Sequence, residues 1–203
     1  MAVIYLVRHG QASFGAADYD DLSELGRHQA RLAGQALAGR AREPLLVSGT
    51  LRRQKDTAAL LGLSGAAAED PRWNEYDHLG LVRRYLDGAE PPDDSRLFQT
   101  HLDQALREWI DQGGWDAFAG AAVEALHSLP GRLSPGQDAV VVTSAGVIAA
   151  VAGALLEAPA AGIVALNRVL VNASITAVLA GSAGLHLLTY NEHAHLGESR
   201  TYR

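Results

Sequence analysis

The sequence predicts an α/β protein of three layers, in which helices cover both faces of a mainly parallel sheet. Three apolar runs carry this prediction, at residues 2–7, 45–47 and 139–142. Each run ends abruptly in polar residues and is followed by a helical pattern, and runs without polar alternation are typical of buried parallel strands. Alternation of such strands with helices favours right-handed crossovers between parallel neighbours. With 48% hydrophobic residues, the 203-residue chain can bury one sizeable core.

Helices are expected after the first two strands. Ser23 is a candidate N-cap of the first helix, with Glu24 in the first turn and an apolar stripe that extends to Leu37. A second helix is expected after residues 48–50, where the second strand ends in Ser, Gly and Thr.

Residues 64–136 interrupt this pattern, and we expect them to form an insertion or lid within a single domain of residues 1–203. Pro and Asp break the chain at residues 90–94. Apolar periodicity predicts two amphipathic helices, at residues 95–111 and 115–129. An insertion here is expected to cover the carboxyl edge of the sheet.

The last third of the chain returns to strands. After the strand that ends at Thr143, an apolar helix is expected over residues 147–156. Two further strands, at about 169–180 and 185–190, are separated by a Gly-rich turn and predict a closing hairpin. The polar tail from Asn191 is expected to be irregular.

The first strand delivers Arg8, His9 and Gly10 to its carboxyl end, where open α/β sheets bind ligands. Arg8 offers a fixed set of N–H donors to phosphate or carboxylate oxygens, and Gly10 lets the backbone pass close to a bound group. A neighbouring guanidinium disfavours the imidazolium, so His9 is expected to be neutral and able to act as a nucleophile. The alternative is a structural histidine bonded to backbone, with Arg8 in a surface ion pair.

Four segments agree with the first of these interpretations: RHGQ at 8–11, LSELGRHQA at 22–30, SGTLRR at 48–53 and DTA at 56–58. In order and spacing they resemble the histidine phosphatase superfamily, also called phosphoglycerate mutase-like, and the resemblance extends to Asn191. It implies the three-layer fold and a phosphatase that hydrolyses a phosphomonoester through a phosphohistidine intermediate on His9. It implies no cofactor and no metal.

The resemblance also assigns site residues. Arg53 stands where the family carries its second phosphate-binding arginine. Glu75 lies in a segment similar to the one that supplies the family's general acid. A partly apolar lid beside Glu75 is expected to raise the pKa of its carboxyl, and a general acid needs a raised pKa to keep its proton near neutral pH. Asp77 is a nearby alternative. The expected catalytic residues are His9 and Glu75, and the expected substrate-binding residues are Arg8, Arg53, Gly10, Gln11 and Ser144.

The sequence departs from the family at Ser144, where a second histidine normally donates to the transferring phosphoryl group. A serine hydroxyl carries no charge, and losing one donor at an oxyanion lowers the rate by about 10²–10³. His78, His193 and His195 are candidates to replace it, although each residue is more often a surface or capping histidine. A weakened phosphoryl-binding or regulatory protein is therefore an alternative, and a phosphoglycerate-mutase-type phosphotransferase is another.

Composition excludes several other classes. A formal charge of −6 and a pI of about 5.7 leave no general electrostatic surface for nucleic acid. The absence of cysteine excludes disulfides, thiolate metal sites and thiol catalysis. The chain shows no secretory signal pattern and no membrane-spanning apolar run. We expect a cytoplasmic protein that acts on a phosphorylated small molecule or phosphoprotein, without nucleic acid or membrane partners, and a homodimer is left open.

Overall fold

The computed structural model describes residues 1–13, 20–92 and 94–202. In this part of the chain a six-stranded sheet has the order β3-β2-β4-β1-β5-β6. The first four strands in sequence run parallel, and the last two are antiparallel to their neighbours. The strands are β1 (Ala2–Arg8), β2 (Leu45–Ser48), β3 (Ala68–Glu69), β4 (Ala139–Thr143), β5 (Ile175–Gly181) and β6 (Gly184–Glu192).

Helices cover both faces of the sheet, which confirms the three-layer prediction. Because side chains alternate along a strand, Ile4 and Leu6 of β1 join one apolar cluster while Tyr5 and Val7 join another. The helices are α1 (Glu24–Ala38), α2 (Arg52–Leu60), α3 (His78–Tyr85), α4 (Ser95–Asp111), α5 (Trp115–Ser128), α6 (Ala145–Leu155) and α7 (Ala160–Val169). The first cluster lies under α5 and α6, and the second lies under α1 and α2.

The strand register brings the predicted site residues to one edge. Arg8 of β1 lies opposite Thr143 of β4, and the amide of His9 donates to the Thr143 carbonyl over 2.9 Å. On the other side of β4, the amide of Gly49 donates to the Val142 carbonyl over 3.1 Å. The segments that follow β1, β2 and β4 are therefore neighbours at the carboxyl edge of the sheet.

Residues 64–136 contribute β3 to the sheet edge and α3, α4 and α5 to the layers around it. Leu81, Leu106 and Ile163 belong to a third apolar cluster, which joins α3, α4 and α7. The role of this region as an insertion or lid stays a prediction. No helix in the described residues is long and apolar enough to cross a membrane.

Local signals predicted several elements closely. Ser23 caps α1 by accepting from the amide of Gly26 over 3.0 Å, and α4 has the predicted bounds. The hairpin of β5 and β6 turns between Gly181 and Gly184, as expected.

The predicted strand at about 169–180 begins too early and is corrected. Helix α7 extends to Val169, and β5 begins only at Ile175. Between them Ala173 has a φ of 57°, which breaks an extended backbone. Helices α3 and α7 were not predicted, and both are short, with 8 and 10 residues. The tail was expected to be irregular, but it contains a short 3₁₀ segment at Ala194–Ser199.

Candidate active site

A cavity of about 460 Å³ opens at the carboxyl edge of the sheet. Four of the predicted site residues line it together: Arg8, His9, Arg53 and Glu75. They come from the end of β1, the start of α2 and the segment before α3. Gly10, Gln11 and Ser144 are not among the described residues that line the cavity.

His9 is held in one tautomer by its neighbours. Its Nδ1 lies 2.8 Å from the carbonyl oxygen of Gly10, which can only accept, so Nδ1 carries the proton. Arg53 Nε donates to His9 Nε2 over 3.2 Å. Burial, followed by the charges of Arg53 and Arg8, holds the pKa of His9 well below its usual value. His9 is therefore a neutral imidazole whose Nε2 lone pair faces a cation.

Gly10 and Gln11 position the loop behind His9. A Cβ on Gly10 would lie 2.3 Å from the carbonyl oxygen of Gly26, so the close approach that requires glycine is made to the start of α1. The Gly10 amide donates to Thr57 Oγ1 over 3.1 Å, and the Gln11 amide donates to Gln29 Oε1 over 2.9 Å. These contacts fix the nucleophile loop to α1 and α2.

Both arginines are anchored by oxygen atoms of the protein. Arg53 Nη1 donates to Asp20 Oδ1 over 2.6 Å, and Asp20 Oδ2 also accepts from the amide of Arg52 over 2.7 Å. Arg8 Nη1 donates to the carbonyls of Leu170 and Tyr202. Sequence reasoning missed Asp20, and its position in a loop rich in Asp was the only available signal. Its carboxylate holds Arg53 with Nε directed at His9.

Glu75 lies against the start of α6. Glu75 Oε2 accepts from the amide of Gly146 over 3.1 Å, and Oε1 accepts from the amide of Tyr76 over 3.2 Å. Burial raises the pKa of Glu75 above its usual value, against the opposing effects of the Gly146 amide and of the charges of Arg53 and Arg8. A carboxyl with a raised pKa retains its proton closer to neutral pH and can act as an acid.

The segment before Glu75 is tied to the sheet edge. Asn74 Oδ1 accepts from the amide of Thr50 over 2.7 Å, and the carbonyl of Trp73 accepts from Thr143 Oγ1 over 2.7 Å. Asp77, the alternative acid, is exposed and caps α3 by accepting from the amide of Gly80 over 2.9 Å. It is not among the described cavity-lining residues.

Ser144 is fully buried beside the cavity. Its Oγ accepts from Gln54 Nε2 over 2.8 Å, and the same nitrogen donates to the carbonyl of Trp73 over 2.9 Å. The next residue, Ala145, does line the cavity. Ser144 is not a described lining residue, and its lining neighbour has no polar side-chain atom.

The three candidate replacement histidines have different surroundings. His78 lines the cavity. His193 Nδ1 lies 2.6 Å from the Asn191 carbonyl oxygen, and His195 Nε2 lies 3.0 Å from the Ala173 carbonyl oxygen. Neither is a described lining residue. The described chain also contains no group of three or more His, Cys, Asp or Glu that could hold a metal ion.

The outer part of the cavity has a mixed lining. Arg83 pairs with Glu90, with an Nη2–Oε2 distance of 3.0 Å, and Arg168 pairs with Asp103. Apolar side chains complete this part, among them Leu79, Phe98 and Leu102. It can surround the remainder of a phosphorylated molecule with both apolar and cationic groups.

Comparisons with known proteins found a matching family model, relatives and solved structures. The model of the histidine phosphatase superfamily (branch 1) matches residues 4–193. A glucosyl-3-phosphoglycerate phosphatase of Mycobacterium tuberculosis is 34% identical over 187 residues, or 81% of this chain and 79% of the relative. A metal-independent phosphoserine phosphatase of Arabidopsis thaliana is 30% identical over 190 residues, or 86% and 75%. The solved structure of a mycobacterial glucosyl-3-phosphoglycerate phosphatase with VO3 gives a TM-score of 0.66 at 28% identity, covering 95% of this chain and all (100%) of that chain.

Proposed function

The chain belongs to the histidine phosphatase superfamily and is a phosphatase of phosphomonoesters, and from this premise we propose a role for each residue of the cavity. His9 is the nucleophile, Arg8 and Arg53 bind the phosphoryl oxygens, and Glu75 is the general acid. The observation that carries the proposal is the neutral His9, whose Nε2 shares one cavity with two guanidiniums and with a carboxyl of raised pKa.

In the first step His9 Nε2 attacks phosphorus and the bond to the leaving oxygen breaks. Before the reaction, Arg53 Nε–H donates to His9 Nε2 over 3.2 Å. Once Nε2 bonds to phosphorus, the same N–H donates to a charged phosphoryl oxygen instead. The developing positive charge on the ring is stabilised by the Gly10 carbonyl at Nδ1. Fixed cationic donors of this kind stabilise charge in the transition state without reorganisation.

Glu75 completes both steps. Its protonated carboxyl donates to the leaving alkoxide, so a neutral alcohol departs. In the second step the Glu75 carboxylate accepts a proton from water as the water oxygen attacks phosphorus. The N–P bond breaks, inorganic phosphate forms and His9 returns to its neutral tautomer. Covalent catalysis of this kind replaces one difficult displacement with two steps of lower barrier.

The substrate we propose is a small phosphomonoester whose alcohol carries hydroxyl groups and a carboxylate. The named relatives at 34–35% identity act on glucosyl-3-phosphoglycerate, according to their names. Arg83 and Arg168 in the outer cavity are suited to a carboxylate, since guanidinium groups form paired hydrogen bonds with it. The volume of about 460 Å³ leaves room for more than a phosphoryl group.

Purified protein assayed with a panel of phosphomonoesters tests the proposal. The panel contains an aryl phosphate, phosphoserine, 3-phosphoglycerate, glucosyl-3-phosphoglycerate and a phosphopeptide. We expect turnover that disappears in His9→Ala and persists in His195→Ala, a matched control whose imidazole is bonded to the Ala173 carbonyl. Equal turnover by wild type and His9→Ala would overturn the proposal, and a preference for the phosphopeptide would overturn the substrate class.

A second candidate function is phosphoryl binding with weak turnover. It is favoured by one observation, the bond that Ser144 makes to Gln54 beside a cavity wall formed by Ala145. Phosphate would then bind in the cavity with little hydrolysis, and isothermal calorimetry together with the turnover assay separates the two functions.

A further inference from the structure

The arrangement of donors in the cavity leaves one wall without a cation. Ala145 lines this wall and has no polar side-chain atom, and the next amide, that of Gly146, donates to Glu75. Arg8 and Arg53 enter from other elements, and each also donates to oxygen atoms of the protein. A phosphoryl group whose charge spreads over three oxygens in the transition state therefore gains from a further charged donor.

We propose that His78 is that donor and contacts a non-bridging phosphoryl oxygen during both chemical steps. His78 is the one imidazole besides His9 among the described lining residues of the cavity. This inference rests on the proposed function. It assigns His78 as a catalytic residue, in a place that the strand-end position of Ser144 does not reach.

The segment that carries Glu75 also fixes His78. Tyr76 packs against Trp109 and Phe118, with ring centroids 5.4 Å and 5.5 Å away, and anchors the segment between the acid and the imidazole. Asp77 caps α3, of which His78 is the first residue. One anchored turn of chain therefore presents both groups to the cavity.

The ring of His78 is also supported from α4. It lies edge-on to Phe98, with centroids 6.2 Å apart and an interplanar angle of 88°. The amide of His78 donates to the carbonyl of Tyr76 over 2.9 Å, which fixes the backbone from which the ring projects. These contacts limit the ring to a small region at the cavity wall.

The charges around His78 are compatible with this role. The charge of His78 lowers the pKa of His9, after the larger effects of burial, Arg53 and Arg8, and so favours the neutral nucleophile. A neutral His9 acts as the nucleophile while a protonated His78 donates. Glu75 faces the same space and is neutral as the acid. A phosphoryl dianion favours the protonated form of a neighbouring imidazole.

The outer charged groups do not supply the same donor. Arg83 pairs with Glu90 and Arg168 pairs with Asp103. Both are proposed above to bind the carboxylate of the substrate, so neither is assigned to the phosphoryl group. The role proposed for His78 involves no proton transfer and no bond breaking. Its N–H donates to an oxygen that becomes more negative in the transition state, which raises kcat more than substrate affinity.

The test compares His78→Phe, His78→Gln and His101→Phe. Phenylalanine keeps a ring against Phe98 but removes the donor, and glutamine keeps a neutral donor. His101 is a matched control, because its ring also contacts an aromatic ring, that of Tyr85 at 6.0 Å, and it does not line the cavity. We measure kcat, KM and the inhibition constants of vanadate and phosphate, with thermal melting to check folding.

We expect His78→Phe to lower kcat about 10²-fold and to weaken vanadate far more than phosphate. His78→Gln should recover part of the loss, and His101→Phe should match wild type. Retention of wild-type kcat by folded His78→Phe, or an equal loss in His101→Phe, would overturn the inference. If wild type itself shows no turnover that depends on His9, the proposed function fails. If wild type turns over normally and the His78 variants have wild-type kcat, the role of His78 is wrong while the proposed function stands.

Discussion

Gly146→Ala tests how closely the general acid must fit against α6. A Cβ at this position lies 2.2 Å from Glu75 Oε1 and 2.4 Å from Tyr76 Cε1. Ordinary carbon–oxygen contacts are about 3.3 Å or longer, so the carboxyl must move by roughly 1 Å. The neighbouring ring of Tyr76 is packed against Trp109 and Phe118, which limits where the displaced carboxyl can go.

A displacement of about 1 Å at a catalytic group costs about 10²-fold in rate. We expect that loss in kcat/KM for an alkyl phosphate, because kcat/KM reports the first step and a poor leaving group needs a proton from Glu75 in that step. An aryl phosphate releases a more stable aryloxide, so its kcat/KM should fall much less. Overpacking should also lower the free energy of unfolding by about 1–3 kcal/mol.

The assay is kcat/KM on glycerol phosphate and on p-nitrophenyl phosphate, with thermal melting of each variant. Gly120→Ala is the matched control, since it also replaces a helical glycine and its Cβ meets no atom within 4 Å. Equal losses of kcat/KM on both substrates, or wild-type kcat/KM on glycerol phosphate, would refute the reasoning that places Glu75 as the acid.

Two further predictions concern the same cavity. Ser144→Ala should leave kcat within about threefold, because the hydroxyl is bonded to Gln54 and not to the substrate. It should lower the free energy of unfolding by about 1–3 kcal/mol, because Gln54 loses a buried acceptor. Steady-state kinetics and denaturant melts measure the two effects, and a large loss of kcat would place the hydroxyl on the substrate. The pH profile of kcat/KM should fall on the acid side below the usual pKa of histidine, because the pKa of His9 is lowered and its neutral form attacks. It should fall on the alkaline side above the usual pKa of glutamate, because the pKa of Glu75 is raised and its protonated form donates. In the His78→Gln background, Glu75→Gln is expected to leave the acid limb unchanged and to remove the alkaline limb, and the reverse pattern would contradict these assignments.

The strand ends could be predicted from the sequence because apolar runs and polar breaks are local signals. Arg8, His9, Arg53 and Glu75 come from three separate segments, yet all four line one cavity, since parallel strands end at a common edge. Roles for these residues in the reaction stay proposals, while the fold and the family are confirmed.

The parts that could not be predicted depend on contacts between distant residues. Asp20 bonds Arg53 from a loop without a periodic pattern, and Gln54 reaches Ser144 across 90 positions of sequence. The side chain of a strand-end residue can lie in the cavity or behind it, and spacing alone does not distinguish the two. His78 was one of three candidates in the sequence, and only the packing of α3 places it in the cavity.

Trapping of phosphohistidine tests the central claim most directly. Wild-type protein is mixed with phosphomonoester, quenched in alkali within milliseconds and digested for mass spectrometry, with Glu75→Gln used to slow the second step. The account predicts one phosphoryl group on His9, at Nε2, formed at least as fast as turnover and absent from His9→Ala. Turnover without a phosphoryl group on His9, or with the group on another residue, would contradict it.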